Sequence, residues 1–213
     1  MNQLTIGSLV GARFEIRSLL GEGGQGRTWL ARDVVGQELV ALKELSLDTA
    51  ESWKAIELFE REGRALQTLD HPLIPRYVKA FTERDTDGST RFFIAQEYVE
   101  GQSLEAELAS KQWTEPEAVV LCRELLGVLV DLHGRSPAVV HRDIKPNNLL
   151  RREADGAVVL IDFGAVQVVA PGAGGGSTVV GTAGYMPLEQ FMGKAVPASD
   201  LYGLGVTFTA WAS

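Results

Sequence analysis

Cysteine is almost absent from this sequence. Cys122 is the single one in 213 residues, so no intrachain disulfide can form. That excludes a disulfide-stapled secreted scaffold and makes a reducing compartment, the cytoplasm, the expected location. Cys122 sits in an apolar helical run and reads as buried packing rather than as a nucleophile. Long apolar stretches are missing too. No uncharged run reaches the ~18 residues of a membrane helix, so no membrane span is expected. The start, MNQLTIGSLV, lacks the basic-then-apolar pattern of a secretory leader. Positive charge is in deficit: 20 Lys and Arg against 28 Asp and Glu give a formal net charge of −8. This argues against nucleic acid or an anionic membrane as a partner. Hydrophobic content of 45% and charged content of 23% are ordinary for a globular chain, and the length allows one large domain or two small lobes. No internal repeat is visible.

Glycine is plentiful, with 23 residues. Gly21-Glu22-Gly23-Gly24-Gln25-Gly26 fits G-x-G-x-x-G. Alone, that pattern fits a dinucleotide loop, a flap over a nucleotide triphosphate, or an ordinary turn. A dinucleotide loop must lead from a strand into a helix. Here Arg27–Arg32 is rich in β-formers, Asp33–Gln37 reads as a turn, and Glu38–Lys43 reads as another strand. The glycines therefore join two antiparallel strands, and backbone N–H groups at such a tip can approach phosphates closely.

Residues 12–47 thus read as a three-stranded meander. The span Thr49–Leu69 reads as an amphipathic helix, with Trp53, Ile56, Phe59 and Leu66 on its apolar side, and it ends before His71-Pro72. Strands follow near Arg76–Phe81 and Arg91–Tyr98. Beyond Gly101 the character becomes helical. A short helix covers Ser103–Ala109. Thr114-Glu115-Pro116-Glu117 has the form of a helix start and opens a helix to about His133. Asn148–Arg152 and Ala157–Asp162 form a hairpin around Asp155-Gly156. Pro171–Ser177 is too rich in glycine to fold alone.

Four separated elements carry the chemistry: Lys43 at the end of a strand, Glu62 on the following helix, the run His141-Arg142-Asp143-Ile144-Lys145-Pro146-Asn147-Asn148, and Asp162-Phe163-Gly164. With the glycine loop, their order resembles the eukaryotic-type (Hanks-type) serine/threonine protein kinases, from about Phe14 to the last residue. RTWLA after the loop and the GAVQ run resemble bacterial members. The resemblance implies an α+β, two-lobed fold. A five-stranded antiparallel N-lobe with one helix covers residues 1–98, and a mainly helical C-lobe covers 99–213. It implies ATP and Mg²⁺ as cofactors and proteins bearing Ser or Thr as substrates.

Phosphoryl transfer depends on positioning and charge neutralisation. By the resemblance, Lys43 faces the α- and β-phosphates and is held by Glu62. Asp143 takes the proton of the substrate hydroxyl, and Lys145 reaches the γ-phosphoryl group. Asn148 and Asp162 offer hard oxygens that suit Mg²⁺. Gly21, Gly23, Gly26 and Thr28 cover the nucleotide. Ala41 and Leu150 sandwich the adenine, and Glu97 to Val99 form the hinge. Leu66, Tyr77, His141 and Phe163 stack as a spine, so His141 is structural rather than a base. Lys145 and Thr182 point to serine/threonine transfer. Arg142 implies a phosphate-accepting switch at Thr178 or Ser177, with autophosphorylation.

Two positions depart from the family pattern. Thr28 stands where valine is usual, and Pro187-Leu188-Glu189 replaces Ala-Pro-Glu. The run Asp200–Phe208 resembles the central helix of the large lobe. The helices that normally follow it are not in this sequence, so Leu201, Leu204, Val206, Phe208 and Trp211 are expected to lose cover, Glu189 to lose its arginine partner, and the chain either to be marginally stable or to self-associate there. Small-molecule phosphotransferases lack the Lys145 arrangement and the Gly181–Glu189 platform. A catalytically impaired truncated kinase, or a pseudokinase-like binding scaffold, is the alternative function.

Overall fold

The structure is a computed structural model and describes residues 4–23, 26–46, 52–84, 88–169 and 179–209. The chain is α+β and divides into two compact units, residues 1–69 with 75–99, and residues 70–74 with 100–213.

The first unit is a mixed-length antiparallel sheet with one helix. Its elements are β1 (Leu9–Val10), β2 (Phe14–Gly23), β3 (Gly26–Asp33), β4 (Leu39–Ser46), α1 (Ser52–Thr68), β5 (Tyr77–Arg84) and β6 (Thr90–Glu97). The sheet order is β1-β2-β3-β4-β6-β5. The five expected strands are joined by β1, which pairs Leu9 with Glu15 and Val10 with Phe14. Two residues are too few to show a period, so sequence alone does not reveal such a strand.

Period-two alternation selects one face of the sheet for the core. Phe14 and Ile16, Trp29 and Ala31, Val40 and Leu42, and Phe93 and Ala95 are all buried there. Phe81 stacks between Phe14 and Phe93, with ring centroids 5.5 and 5.1 Å away. The large apolar side chains among them contribute ~1.5–3 kcal/mol each when fully buried. Against the sheet lies α1. A Cβ on its Gly63 would stand 3.5 Å from Ile94 Cδ1 and 3.7 Å from Ala80 Cβ, so the helix approaches β5 and β6 at that point.

The β3–β4 turn is fixed by an ion pair. Arg13 donates Nε to Asp33 Oδ1 at 2.8 Å and Nη2 to Oδ2 at 2.6 Å. Asp33 also accepts Val35 N–H at 3.0 Å. The Arg13 hydrogen bonds are the largest cause holding the Asp33 carboxyl down at about 2, from an ordinary 3.8. A depressed carboxylate contributes stability that is present above its unfolded value and lost as pH falls through the folded one. Asp33→Asn is therefore expected to lower the melting temperature at pH 6. The gap to the unsubstituted chain should narrow between about pH 4 and pH 2, as read by thermal melts across that range.

The second unit contains β7 (Gly101–Ser103), α2 (Leu104–Leu108), α3 (Glu115–Gly134), β8 (Ala138–Val140), β9 (Leu149–Arg152), β10 (Val158–Leu160), β11 (Gln167–Val169), α4 (Leu188–Phe191) and α5 (Pro197–Thr209). Ser103 caps α2, its Oγ accepting Ala106 N–H at 3.2 Å. At the start of α3, Thr114 is the N-cap and Glu117 Oε2 accepts its N–H at 2.9 Å. That helix buries Leu121, Leu125, Val128, Leu129 and Leu132. Cys122 on α3 is half-buried rather than buried, because it lies beside that stripe.

The expected hairpin is β9–β10, with Leu150 opposite Val159. Sequence gave no sign of two partnerships. One is β7 with β9, and the other is β8 with β11, where Val139 lies opposite Val168. Both bracket the run His141–Asn148. Among the described residues no helix is long and apolar enough to cross a membrane.

Candidate functional site

In the first unit, register brings the glycine loop and Lys43 together. Gly21 lies opposite Thr28, and Thr28 lies opposite Lys43. Gly24 and Gln25 lie outside the described residues. A Cβ on Gly21 or Gly23 would meet open space. Gly26 is different: its φ is +121°, and a Cβ there would stand 2.0 Å from the Glu44 carbonyl oxygen. The neighbouring strand therefore demands a glycine at that position, independently of any ligand.

Lys43 donates Nζ to both carboxylate oxygens of Glu62, at 3.0 and 2.8 Å. Glu62 is buried and Lys43 partly so, and the ion pair bridges β4 and α1. Ala41, buried, lies opposite Gln96 on β6. Glu97 closes β6, its N–H donated to the Arg76 carbonyl at 2.8 Å, and Val99 is buried just beyond.

In the second unit, the run after β8 forms a closed polar cluster. Asp143 is 9% exposed. Its Oδ1 accepts Thr182 Oγ1–H at 2.7 Å, and its Oδ2 accepts Lys145 Nζ at 2.8 Å and Asn148 Nδ2 at 2.9 Å. Lys145 also donates to Thr182 Oγ1 at 2.6 Å. Asn148 Nδ2 additionally bonds the Asp143 carbonyl at 2.8 Å, which turns the amide nitrogen inward and fixes Oδ1 as the other end. The Asn148 carbonyl accepts Ile161 N–H at 2.9 Å, so the chain reaches Asp162 beside it. Asp162 has φ +61°, and its Oδ1 accepts Gly164 N–H at 3.3 Å. Leu150 pairs with Ser103 on one side and Val159 on the other.

His141 is fully buried. One ring nitrogen lies 3.2 Å from the Ile161 carbonyl, the other accepts Asp143 N–H at 3.3 Å, and the ring meets Phe163 edge-on at 4.7 Å. Both nitrogens are engaged, which leaves the ring a packing and bracing role. Arg142 is 3% exposed. Its guanidinium bonds the Ala165 carbonyl and, at 3.1 Å, Gln167 Oε1. Ser177 and Thr178 lie outside the described residues.

Two residues organise this cluster that the motifs did not point to. Asp200, at the start of α5, accepts Arg142 N–H at 2.7 Å on Oδ1, and His141 N–H at 2.9 Å and His133 Nε2 at 2.9 Å on Oδ2. Gln190, on α4, donates to two backbone carbonyls of the same region. Arg142 has φ +69°, a left-handed value that costs a non-glycine residue ~1–3 kcal/mol unless its surroundings impose it. Asp200 holds the N–H of that residue.

The altered Pro187-Leu188-Glu189 run is accommodated locally. The Pro187 carbonyl accepts Gln190 N–H at 3.1 Å and opens α4, while Glu189 Oε1 accepts Ser199 Oγ–H at 2.8 Å. Glu189 thus has a partner within the chain. On α5, Leu204 is buried but Leu201 and Tyr202 are each 48% exposed, and Trp211 lies outside the described residues.

Residues 14–213 match the family described as the protein kinase domain. The chain belongs to this family. Among curated relatives, the kinase domain is 38% identical over 211 residues to serine/threonine-protein kinase B of Synechocystis sp., covering 92% of this chain and 36% of that protein. It is 37% identical to serine/threonine-protein kinase PknA of Nostoc sp., covering 93% of this chain and 36% of that one. It is 31% identical to serine/threonine-protein kinase PrkC of Bacillus subtilis, covering 95% and 31%. The kinase domain therefore spans about a third of the length of these bacterial relatives.

Proposed function

We propose that the chain transfers the γ-phosphoryl group of ATP to serine or threonine hydroxyls of proteins, itself included. The observation that carries this reading is the closed cluster of Asp143, Lys145, Asn148 and Thr182, in which a threonine hydroxyl already donates to Asp143 Oδ1 at 2.7 Å. A substrate hydroxyl needs the same acceptor. On this reading residues 1–98 form the nucleotide-binding lobe and 99–213 the catalytic one.

The donor set suits the cofactors. Magnesium takes one or two protein oxygens and keeps water and phosphate for the rest. Asn148 Oδ1 and the Asp162 carboxylate match that demand. Lys43, braced by Glu62, supplies the cation for the phosphates. Gly21, Gly23, Gly26 and Thr28 cover them. Ala41 and Leu150 enclose the adenine, and the Glu97 and Val99 backbone recognises its edge. Magnesium-bound ATP brings the electrophilic γ-phosphorus. Asp143 orients the attacking hydroxyl and takes its proton, and Lys145 offsets the negative charge of the group in transit. Phosphate on Thr178 or Ser177 would act as a switch by drawing Arg142 away from Gln167. Self-association through Leu201 and Tyr202 of α5 belongs to the same reading and is tested by light scattering.

The deciding experiment incubates the chain with magnesium-ATP and a generic protein substrate, and locates new phosphate by mass spectrometry. Phosphoserine or phosphothreonine should form on the substrate and in the 171–182 segment. Magnesium-dependent ATP binding without phosphate on any protein would instead make the chain a binding scaffold.

A further inference from the structure

The Gln190 side chain joins two backbone segments that the chemistry needs in register. Its Nε2 donates to the Arg142 carbonyl at 2.7 Å and to the Val180 carbonyl at 2.8 Å. Gln190 is 2% exposed. Both neighbours are carbonyl oxygens, which can only accept. The amide must therefore present its nitrogen, and both of its hydrogens are consumed. Arg142 immediately precedes Asp143. Val180 lies two residues before Thr182, the hydroxyl that bridges Asp143 and Lys145.

The intervening Gly181 is shaped to this contact. Its φ is +135°, and a Cβ there would stand 2.5 Å from Gln190 Nε2, 2.7 Å from Met186 Sδ and 2.9 Å from the Arg142 carbonyl oxygen. No other residue fits between the amide and the two strands of backbone it ties. The left-handed residue Arg142 is consequently held on both sides. Asp200 Oδ1 holds its N–H at 2.7 Å, and Gln190 holds its carbonyl.

From these contacts we infer that Gln190 is a positioning residue for phosphoryl transfer. It fixes the distance between the segment carrying Asp143 and the segment carrying Thr182, and so sets where the acceptor hydroxyl lies against the Asp143 carboxylate. This rests on the reading of the chain as a protein kinase. Gln190 bonds neither the glycine loop nor Lys43 in the contacts above, so its influence falls on turnover and not on nucleotide affinity.

The test uses the 213-residue chain with Gln190→Met, which keeps the length and removes the donors, and Gln190→Glu, which keeps the shape. Both variants are expected to lower kcat about 10- to 100-fold with the KM for ATP unchanged, the loss that a misplacement of about 1 Å produces. In Gln190→Glu the deficit should deepen as pH rises. A protonated carboxyl still donates one hydrogen to a carbonyl, and a carboxylate donates none. Hydrogen exchange should quicken at 141–145 and 179–185 and stay unchanged in α3. Wild-type kcat in both variants, a deficit independent of pH in Gln190→Glu, or exchange quickened uniformly over the unit would each overturn the inference. If the unsubstituted chain transfers no phosphate, the kinase reading fails. Local exchange in either variant still shows whether the clamp exists.

Discussion

Asp143→Asn is expected to lower phosphoryl transfer about 10²- to 10⁴-fold while the chain keeps a cooperative melt. The geometry makes the substitution nearly isosteric but chemically opposed to its surroundings. Asp143 Oδ2 receives two donors, Lys145 Nζ at 2.8 Å and Asn148 Nδ2 at 2.9 Å, and Oδ1 receives the Thr182 hydroxyl at 2.7 Å. An amide has one acceptor oxygen, so one of those directions would meet an N–H. The proton of an incoming hydroxyl would also lose its destination, because a neutral amide does not take it. Steady-state rates with a protein substrate, with circular dichroism on the same sample, separate the loss of chemistry from loss of fold. Turnover within a factor of three of the unsubstituted chain would rule out Asp143 as the proton acceptor.

Three members of the cluster around Asp143, namely Asp143, Lys145 and Asn148, were legible because they lie within one short run that resembles the family motif, whereas Thr182 comes from a separate segment. Lys43 and Glu62 were legible as a pair only through the family resemblance; the expected strand ended at Lys43, whereas β4 continues to Ser46, and α1 brings Glu62 to it. Longer elements followed from period and caps, as with α3 and its Thr114–Glu117 start. What sequence hid was tertiary. The strands β8 and β11 have three residues each, too few for alternation to show. Gly26 read as a loop glycine, yet the carbonyl of Glu44 on the adjoining strand dictates it. Gln190 drew no reading from sequence, because nothing local distinguishes a clamp from a solvated amide. The contacts of the buried Arg142 side chain with Ala165 and Gln167 were likewise invisible in sequence.

Asp200 is the clearest case of a residue whose weight comes only from folding, and its removal should carry the largest cost in stability. An aspartate in the first turn of a helix is ordinarily read as a favourable charge near the N-terminus of that helix. Here it is 1% exposed and reaches back across the chain to accept His141 N–H, Arg142 N–H and His133 Nε2. Asp200→Ala would leave two backbone N–H groups without their acceptor in a buried site. Each such orphan costs ~1–3 kcal/mol, and the left-handed Arg142 would lose the contact that holds its N–H. A loss of about 2–6 kcal/mol is therefore expected, against the ~5–15 kcal/mol by which a typical domain is stable. Asp200→Asn keeps one acceptor oxygen and should fall between the two. Urea unfolding of both variants, compared with Asp143→Asn, measures this. The order of stability should be the unsubstituted chain and Asp143→Asn first, then Asp200→Asn, then Asp200→Ala. If Asp200→Ala unfolds within about 1 kcal/mol of the unsubstituted chain, the two amides have found other acceptors, and the anchoring of the catalytic run to α5 is not what maintains it.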